Sequence, residues 1–279
     1  MKLGVVADEI SRDFRESVRI GKRLGIERYE VRFLRSGRAP MCDQSEMLEV
    51  ERVRDGEGIE ITALSPGLFK YTSKAEEFKR EMLEVLPRAV EWALRWRLPA
   101  LIIFGFLKPG ATEANGDLIS SANPPAYVSE WLEEAASKAA FAGLKLLIEA
   151  EPICWADTGM ATVELIQRAQ SDSIGINYDP ANTAWQYRRD PLDEFEVVSP
   201  YINNVHVKDL MSAPLGSGIP TWAIPGSGMI DYAAHFARLK ALEYSGPVSL
   251  EPHLDSHPET IQKCKEAVES LWMEGKEAG

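Results

Sequence analysis

The sequence is poor in cysteine, in histidine and in long apolar runs. Its three cysteines, Cys42, Cys154 and Cys264, stand far apart with no C-x-x-C spacing. Neither a disulfide framework nor a thiolate-type zinc site can be built from them, and the odd count points to reduced thiols. No window approaches the roughly 18 apolar residues of a membrane span. The first residues, Met1 to Glu9, turn acidic before the apolar stretch of a secretory signal can build up. No Asn-x-Ser/Thr acceptor occurs. These absences predict a cytoplasmic protein with no membrane partner.

Basic charge is also short. Lys and Arg number 31 against 43 Asp and Glu, a net charge of −12. That balance disfavours nucleic acid and anionic membranes, both of which attract clusters of Lys and Arg. It leaves small substrates open, because a bound metal reverses the local charge of an acidic pocket. A Gly-rich phosphate turn is missing too. The segment after the first apolar run reads Ala7-Asp8-Glu9-Ile10-Ser11, which argues against a doubly wound dinucleotide-binding sheet.

What the chain does have is rhythm. Over 279 residues, 45% hydrophobic and 27% charged, short apolar runs alternate with amphipathic stretches. Strands are predicted at Leu3–Ala7, Tyr29–Phe33, Ile59–Leu64, Ala100–Phe106, Leu144–Glu149, Ile174–Tyr178, Asn204–Val207 and Val248–Glu251. Helical spacing runs through Phe14–Leu24, Ser45–Val53, Lys74–Trp96, Val128–Ala142, Met160–Ala169, Leu192–Val198, Tyr232–Leu242 and Pro258–Met273. Strand–helix alternation implies a parallel sheet with right-handed crossovers. Eight units recurring at roughly 30 residues match a closed (β/α)8 TIM barrel. No linker divides the chain, so residues 1–279 read as a single α/β domain.

In such a barrel the reactive groups project from the C-terminal strand ends. Strand five ends in Glu149, strand six in Asp179, strand seven in His206 and strand eight in Glu251. Neighbouring strands lie about 5 Å apart, so four such side chains can converge on one ion. A lone carboxylate at a strand end is commonly a helix cap, but four on successive strands are hard to ascribe to chance. Three carboxylates and one imidazole form a hard, oxygen-rich set suited to Mn²⁺ or Mg²⁺, with Co²⁺ or Zn²⁺ also accepted.

These segments carry a family resemblance. Leu146-Leu147-Ile148-Glu149, Gly175 through Asn182, Asn204 through Asp209, Pro225 through Tyr232 and Gly246 through His253 resemble the sugar phosphate isomerase/epimerase superfamily, with its xylose isomerase-like TIM barrel. The resemblance implies that Glu149, Asp179, His206 and Glu251 are the metal ligands, and that Glu149 and Glu251 double as an acid/base pair. It implies a small sugar or keto-sugar substrate, and homo-oligomers are common in that group. The implied reaction is isomerisation or epimerisation by proton transfer beside a carbonyl, through an enediolate that a divalent ion stabilises. The trinuclear-zinc nucleases of the same superfamily need more imidazoles than His206, His235, His253 and His257 supply.

The chain departs from the sugar epimerases at three places. Asn182 stands where they usually carry His, Ser212 where they carry Arg, and Glu151 where many relatives carry His. These changes leave the substrate class open. Lys70 and Lys208 are candidates to neutralise a substrate oxyanion or phosphate. Glu151, Asn182 and His253 join them as candidate substrate contacts, His253 also as a proton shuttle or partner of Glu251. Glu30 and Arg32 point the same way under strand alternation and read as an ion pair lining the barrel. Phe106, Trp155, Trp185 and Trp222 are expected in loops at the open end as aromatic walls, and Pro225-Gly226-Ser227-Gly228 as an anion cradle. Asp8 and Glu9 are placed to close the far side of the pocket. Two other readings compete: a lyase that uses the same site for β-elimination from a keto-sugar, keto-inositol or 3-keto glycoside, and a binding protein that kept the barrel without the chemistry.

Overall fold

The computed structural model describes residues 1–115, 123–214 and 218–275. Eight parallel strands close into a barrel: β1 (Lys2–Val6), β2 (Arg28–Val31), β3 (Glu60–Leu64), β4 (Ala100–Phe104), β5 (Lys145–Glu149), β6 (Ile174–Tyr178), β7 (Ile202–Val207) and β8 (Pro247–Leu250). Each pairs with its neighbours in chain order, and β8 closes on β1 with Leu3 opposite Val248. Near-continuous apolar runs form these strands because both faces of a barrel strand are covered. The fold and the positions of all eight strands agree with the sequence reading to within a residue or two.

Two pairings shift register, β2 against β3 between Tyr29 and Glu30, and β6 against β7 between Ile176 and Asn177. Such irregularities re-aim side chains. Here they fall beside Glu30 and Asn177, two polar residues turned into the barrel.

Local signals explain the helix starts. Asp13, Thr158, Asp179 and Asp231 each accept a backbone N–H from the first turn of the helices Phe14–Arg23, Gly159–Ala169, Pro180–Tyr187 and Tyr232–Ala241. The helix expected over Lys74–Trp96 is interrupted. Ala75–Arg80 passes through a π turn at Glu81–Val85 into Leu86–Trp96. Pro87 has no N–H to donate and crowds the carbonyl one turn earlier, and the widened turn absorbs both defects. The helix Pro180–Tyr187 was not anticipated, nor were two short ribbons, Phe33–Leu34 with Gly37–Arg38 and Asp209–Leu210 with Trp222–Ala223. Among the described residues no helix is long and apolar enough to cross a membrane.

Candidate metal centre

Glu149 is the last residue of β5, His206 lies next to the end of β7, and Asp179 and Glu251 directly follow β6 and β8. All four are buried, and one donor atom from each lies within 4.8 Å of the others. The predicted ligand set therefore meets at the C-terminal mouth of the barrel.

Each ligand is held from below. Strand alternation turns residues i and i−2 to the same face, so Asn177, Asn204 and Ser249 lie under Asp179, His206 and Glu251. Asn177 Nδ2 donates to Glu149 Oε2 at 2.9 Å, and Asn204 Nδ2 donates to Asn177 Oδ1 and Glu30 Oε1, both at 2.8 Å. Ser249 Oγ donates to Glu30 Oε1 at 2.6 Å. Glu30, 1% exposed, also faces His206 Nε2 at 2.7 Å. An Nε2–H donated to Glu30 leaves the Nδ1 lone pair directed at the cluster, the orientation a metal-ligating imidazole needs. Nδ1 lies 3.1 Å from Glu251 Oε2 and 3.5 Å from Glu149 Oε2. Burial favours a neutral ring, but the carboxylates of Glu30, Glu251 and Glu149 outweigh it and raise the affinity of His206 for a proton. The polar residues under the ligands were missed in the sequence, although each interrupts an apolar strand two positions before a ligand.

Asp179 does two jobs with two oxygens. Oδ1 caps the helix Pro180–Tyr187 by accepting from Ala181 N at 3.0 Å and Asn182 N at 3.2 Å. Oδ2 faces the cluster; it is buried and lacks a directed hydrogen bond, although Lys208 Nζ lies 2.6 Å away. Lys208 Nζ also contacts Glu251 Oε2 at 2.8 Å and Glu149 Oε1 at 3.9 Å. Burial opposes the charge on this ammonium, and the three carboxylates more than restore it. Carboxylate oxygens that already converge on one cation fit a divalent ion.

Glu30 and Arg32 do not form the expected pair. Glu30 serves His206, Asn204 and Ser249, while Arg32 binds Glu251, Asp8 and Glu9, the last at 2.8 Å. Both line the cavity, as alternation predicts, but Glu30 finds its partners on β7 and β8 while Arg32 finds its own in the segments after β1 and β8. Glu9 in turn accepts from His253 N at 2.9 Å and faces His253 Nδ1 at the same distance. Burial raises the Glu251 carboxyl, but Lys208, His206, His253 and Arg32 pull it well below the usual range.

The other candidates line one cavity of about 300 Å³ above the ligands: Lys70, Glu151, Asn182, Lys208 and His253. Lys70 Nζ pairs with Glu151 at 3.1 Å. Asn182 Nδ2 donates to Glu149 Oε1 at 3.2 Å and to the Ala150 carbonyl at 2.8 Å. Trp185 and Trp222 meet edge-to-face at 6.2 Å in the same cavity. Two predicted wall residues lie elsewhere. Phe106 is buried and stacks on Phe69 at 4.5 Å, and Trp155 borders a separate groove. The Gly-rich segment does cradle an anion, but the chain's own. Gly226 N and Gly228 N donate to Asp209 Oδ2 at 2.9 Å, and Ile230 N to Oδ1 at 3.2 Å. A Cβ on Gly228 would lie 2.3 Å from Asp209 Oδ1, so only glycine permits the wrap.

A closed parallel barrel with a carboxylate–imidazole cluster at its C-terminal mouth defines a xylose isomerase-like architecture. The family model for the xylose isomerase-like TIM barrel matches residues 18–274, and the chain belongs to that family. No curated protein matches the chain. Solved structures share the fold. A D-tagatose 3-epimerase-like protein is 17% identical over 99% of both chains with a TM-score of 0.77. The IolI protein, described with a bound zinc atom, is 19% identical over 98% of both chains with a TM-score of 0.76. The probable 3-DHS dehydratase AsbF from Bacillus anthracis is 18% identical over 97% of this chain and 98% of its own, with a TM-score of 0.72.

Proposed function

We propose that the protein is a divalent-metal-dependent isomerase or epimerase of a sugar or sugar derivative, with Mn²⁺ as its ion. The observation that carries this reading is the convergence of Glu149, Asp179, His206 and Glu251 within 4.8 Å, buried beneath the cavity. Epimerase-like and dehydratase neighbours support the enzyme class. A divalent ion bound by these four side chains supplies Lewis acidity that makes a C–H beside a carbonyl acidic enough for a carboxylate to remove its proton.

The two glutamates are held differently, and that difference supports a division of tasks. Glu149 receives amide N–H groups from Asn177 and Asn182, which carry no net charge. Glu251 is bound by Lys208 and Arg32, two cations that spend its negative charge. Glu149 is accordingly the stronger base and takes the proton. Glu251, three strands away, serves the opposite face of the substrate and returns one. Trp185 and Trp222 exclude water, while Asn182 orients Glu149 for the transfer.

A second reading follows from Lys208. Its ammonium, 3.9 Å from Glu149 Oε1, can protonate a leaving group one carbon beyond the site of abstraction, which turns reprotonation into β-elimination. One experiment separates the two. The Mn²⁺-loaded protein is incubated in D₂O with ketoses, keto acids, inososes and 3-keto glycosides, and products are read by NMR with Glu149→Gln as control. Deuterium beside the carbonyl together with an isomer supports the first reading, and an unsaturated product the second. Neither solvent exchange nor a new product in any compound, with the metal shown to be bound, overturns both.

A further inference from the structure

Cations line the cavity on the side of β2 and β3, and one of them has no counter-ion. Arg32 is matched by Asp8, Glu9 and Glu251, Lys70 by Glu151 and Glu113, and Lys208 by Asp179 and Glu251. Arg38 lines the same cavity, yet no carboxylate lies within ion-pair distance of it among the described residues. Its Nε donates to the Ser65 carbonyl at 3.0 Å and its Nη2 to Ser65 Oγ at 2.9 Å. Nη1 has no acceptor among the described residues. The guanidinium sits over Phe33 at 4.9 Å and beside Phe104 at 5.7 Å. Burial pushes its proton affinity down to about 10, so it keeps its charge at neutral pH in a place where that charge is poorly solvated.

The position is built. Gly67 has φ +79°, and a Cβ there would lie 2.6 Å from Arg38 Nε. The positive φ suits glycine, and the missing Cβ leaves the guanidinium room against the Ser65–Gly67 backbone at the cavity wall. Arg12, exposed and also without an acid partner among the described residues, stands over the same Phe33 ring at 5.0 Å. Two arginines that lack an acid partner among the described residues thus share one aromatic ring on this side of the cavity.

From this geometry we infer that the substrate carries a carboxylate, which Arg38 receives through its free Nη1 edge while the keto end of the molecule lies over the metal ligands. The inference rests on the proposed reaction for that keto end. A carboxylate fits better than a phosphate. The nest of backbone N–H groups at Gly226–Ile230 that would suit a dianion is filled by Asp209, and Lys70 is already engaged by two glutamates. One planar guanidinium with a free edge matches one planar carboxylate. Phe33 and Phe104 beside it exclude water and strengthen the pair.

The test uses matched ketoses in two lengths: dihydroxyacetone, dihydroxyacetone phosphate and hydroxypyruvate, then L-sorbose, L-sorbose 6-phosphate and 5-ketogluconate. Solvent deuterium exchange is followed for the Mn²⁺-loaded wild type, Arg38→Met and Arg38→Lys. The expected result is a higher kcat/KM for the carboxylate of at least one set. Arg38→Met lowers that value about 10- to 100-fold, more than it lowers that of the neutral sugar, and Arg38→Lys restores part of it. Equal exchange of neutral and carboxylate compounds, a preference for the phosphate, or a carboxylate preference that survives Arg38→Met overturns the inference while the proposed reaction stands. If nothing exchanges, the reaction is at fault, and calorimetric titration of hydroxypyruvate and 5-ketogluconate decides the inference alone. Binding weakened in Arg38→Met but not in Arg12→Met upholds it, and equal binding by wild type and Arg38→Met overturns it.

Discussion

Glu30 lies under the ligand cluster with both carboxylate oxygens engaged, Oε2 by His206 and Oε1 by Asn204 and Ser249. Its charge fixes which imidazole nitrogen keeps the proton, and so which one faces the ion. Glu30→Gln preserves size but removes that charge and presents an amide to Nε2. The expected outcome is a loss of metal affinity of about 10- to 100-fold with the fold retained. Titration against a chelating dye, with circular dichroism as the folding control, measures it; unchanged affinity would show that packing alone orients His206. The four residues of the cluster were legible because each stands at or just past the end of a strand whose apolar run makes a polar terminus conspicuous. Arg38 was not, because what marks it is that no carboxylate pairs with it among the described residues, and a sequence does not display missing partners. Glu30 was noticed but misassigned, since alternation places it and Arg32 on one face without showing that each meets partners from other strands.

At the scale of elements, the barrel strands were legible and their connections were not. Apolar runs of five or six residues announce β-strands, whereas the ribbon Phe33–Leu34 with Gly37–Arg38 is too short to carry any period. The segment after β6 shows what such connections do. Asp190 accepts from Leu192 N at 2.8 Å and faces His235 Nε2 at 2.8 Å, and His235 Nδ1 meets Tyr178 Oη at 2.9 Å. One carboxylate thereby ties the link behind Pro180–Tyr187 to the helix Tyr232–Ala241 and to β6. Burial raises the Asp190 carboxyl, but the His235 contact and two backbone N–H groups outweigh it, and its value falls below the ordinary 3.8. A carboxyl lowered by folding stabilises the native state above its unfolded value and ceases to do so as pH falls through its native one. Asp190→Asn is therefore less stable than wild type near neutrality, and the gap narrows below about pH 4. Urea unfolding at several pH values tests this, and a gap that stays constant into acid would rule out Asp190 as the source.

Across the whole molecule, charge is concentrated at one end of the barrel. Asp179, Glu149 and Glu251 face each other across a few ångströms, and Lys208 stands among them at 2.6 to 3.9 Å. The ammonium and a divalent ion make claims on the same oxygens. Lys208 therefore stabilises the chelator-treated protein and opposes entry of the ion, by an amount that a low-dielectric site magnifies. Ion at a hundred times its Kd stabilises a protein by about 2.7 kcal/mol. At roughly 2 to 4 °C per kcal/mol for a chain of this size, that raises the wild-type Tm by about 5 to 11 °C. In Lys208→Met the chelator-treated protein melts lower, because three carboxylates lose their shared cation, and the rise on adding Mn²⁺ at equal concentration exceeds the wild-type rise. Asp179→Asn shows the opposite pattern, a small rise, since it removes an ion ligand while Lys208 stays. Thermal unfolding of the three proteins with EDTA and with Mn²⁺ reads all of this directly. Equal rises for wild type and Lys208→Met would mean that the ammonium moves aside at no cost. No rise in the wild type with Mn²⁺, Mg²⁺, Co²⁺ or Zn²⁺ would mean that the cluster is held by the protein's own cations, Lys208 and Arg32, and takes no metal ion.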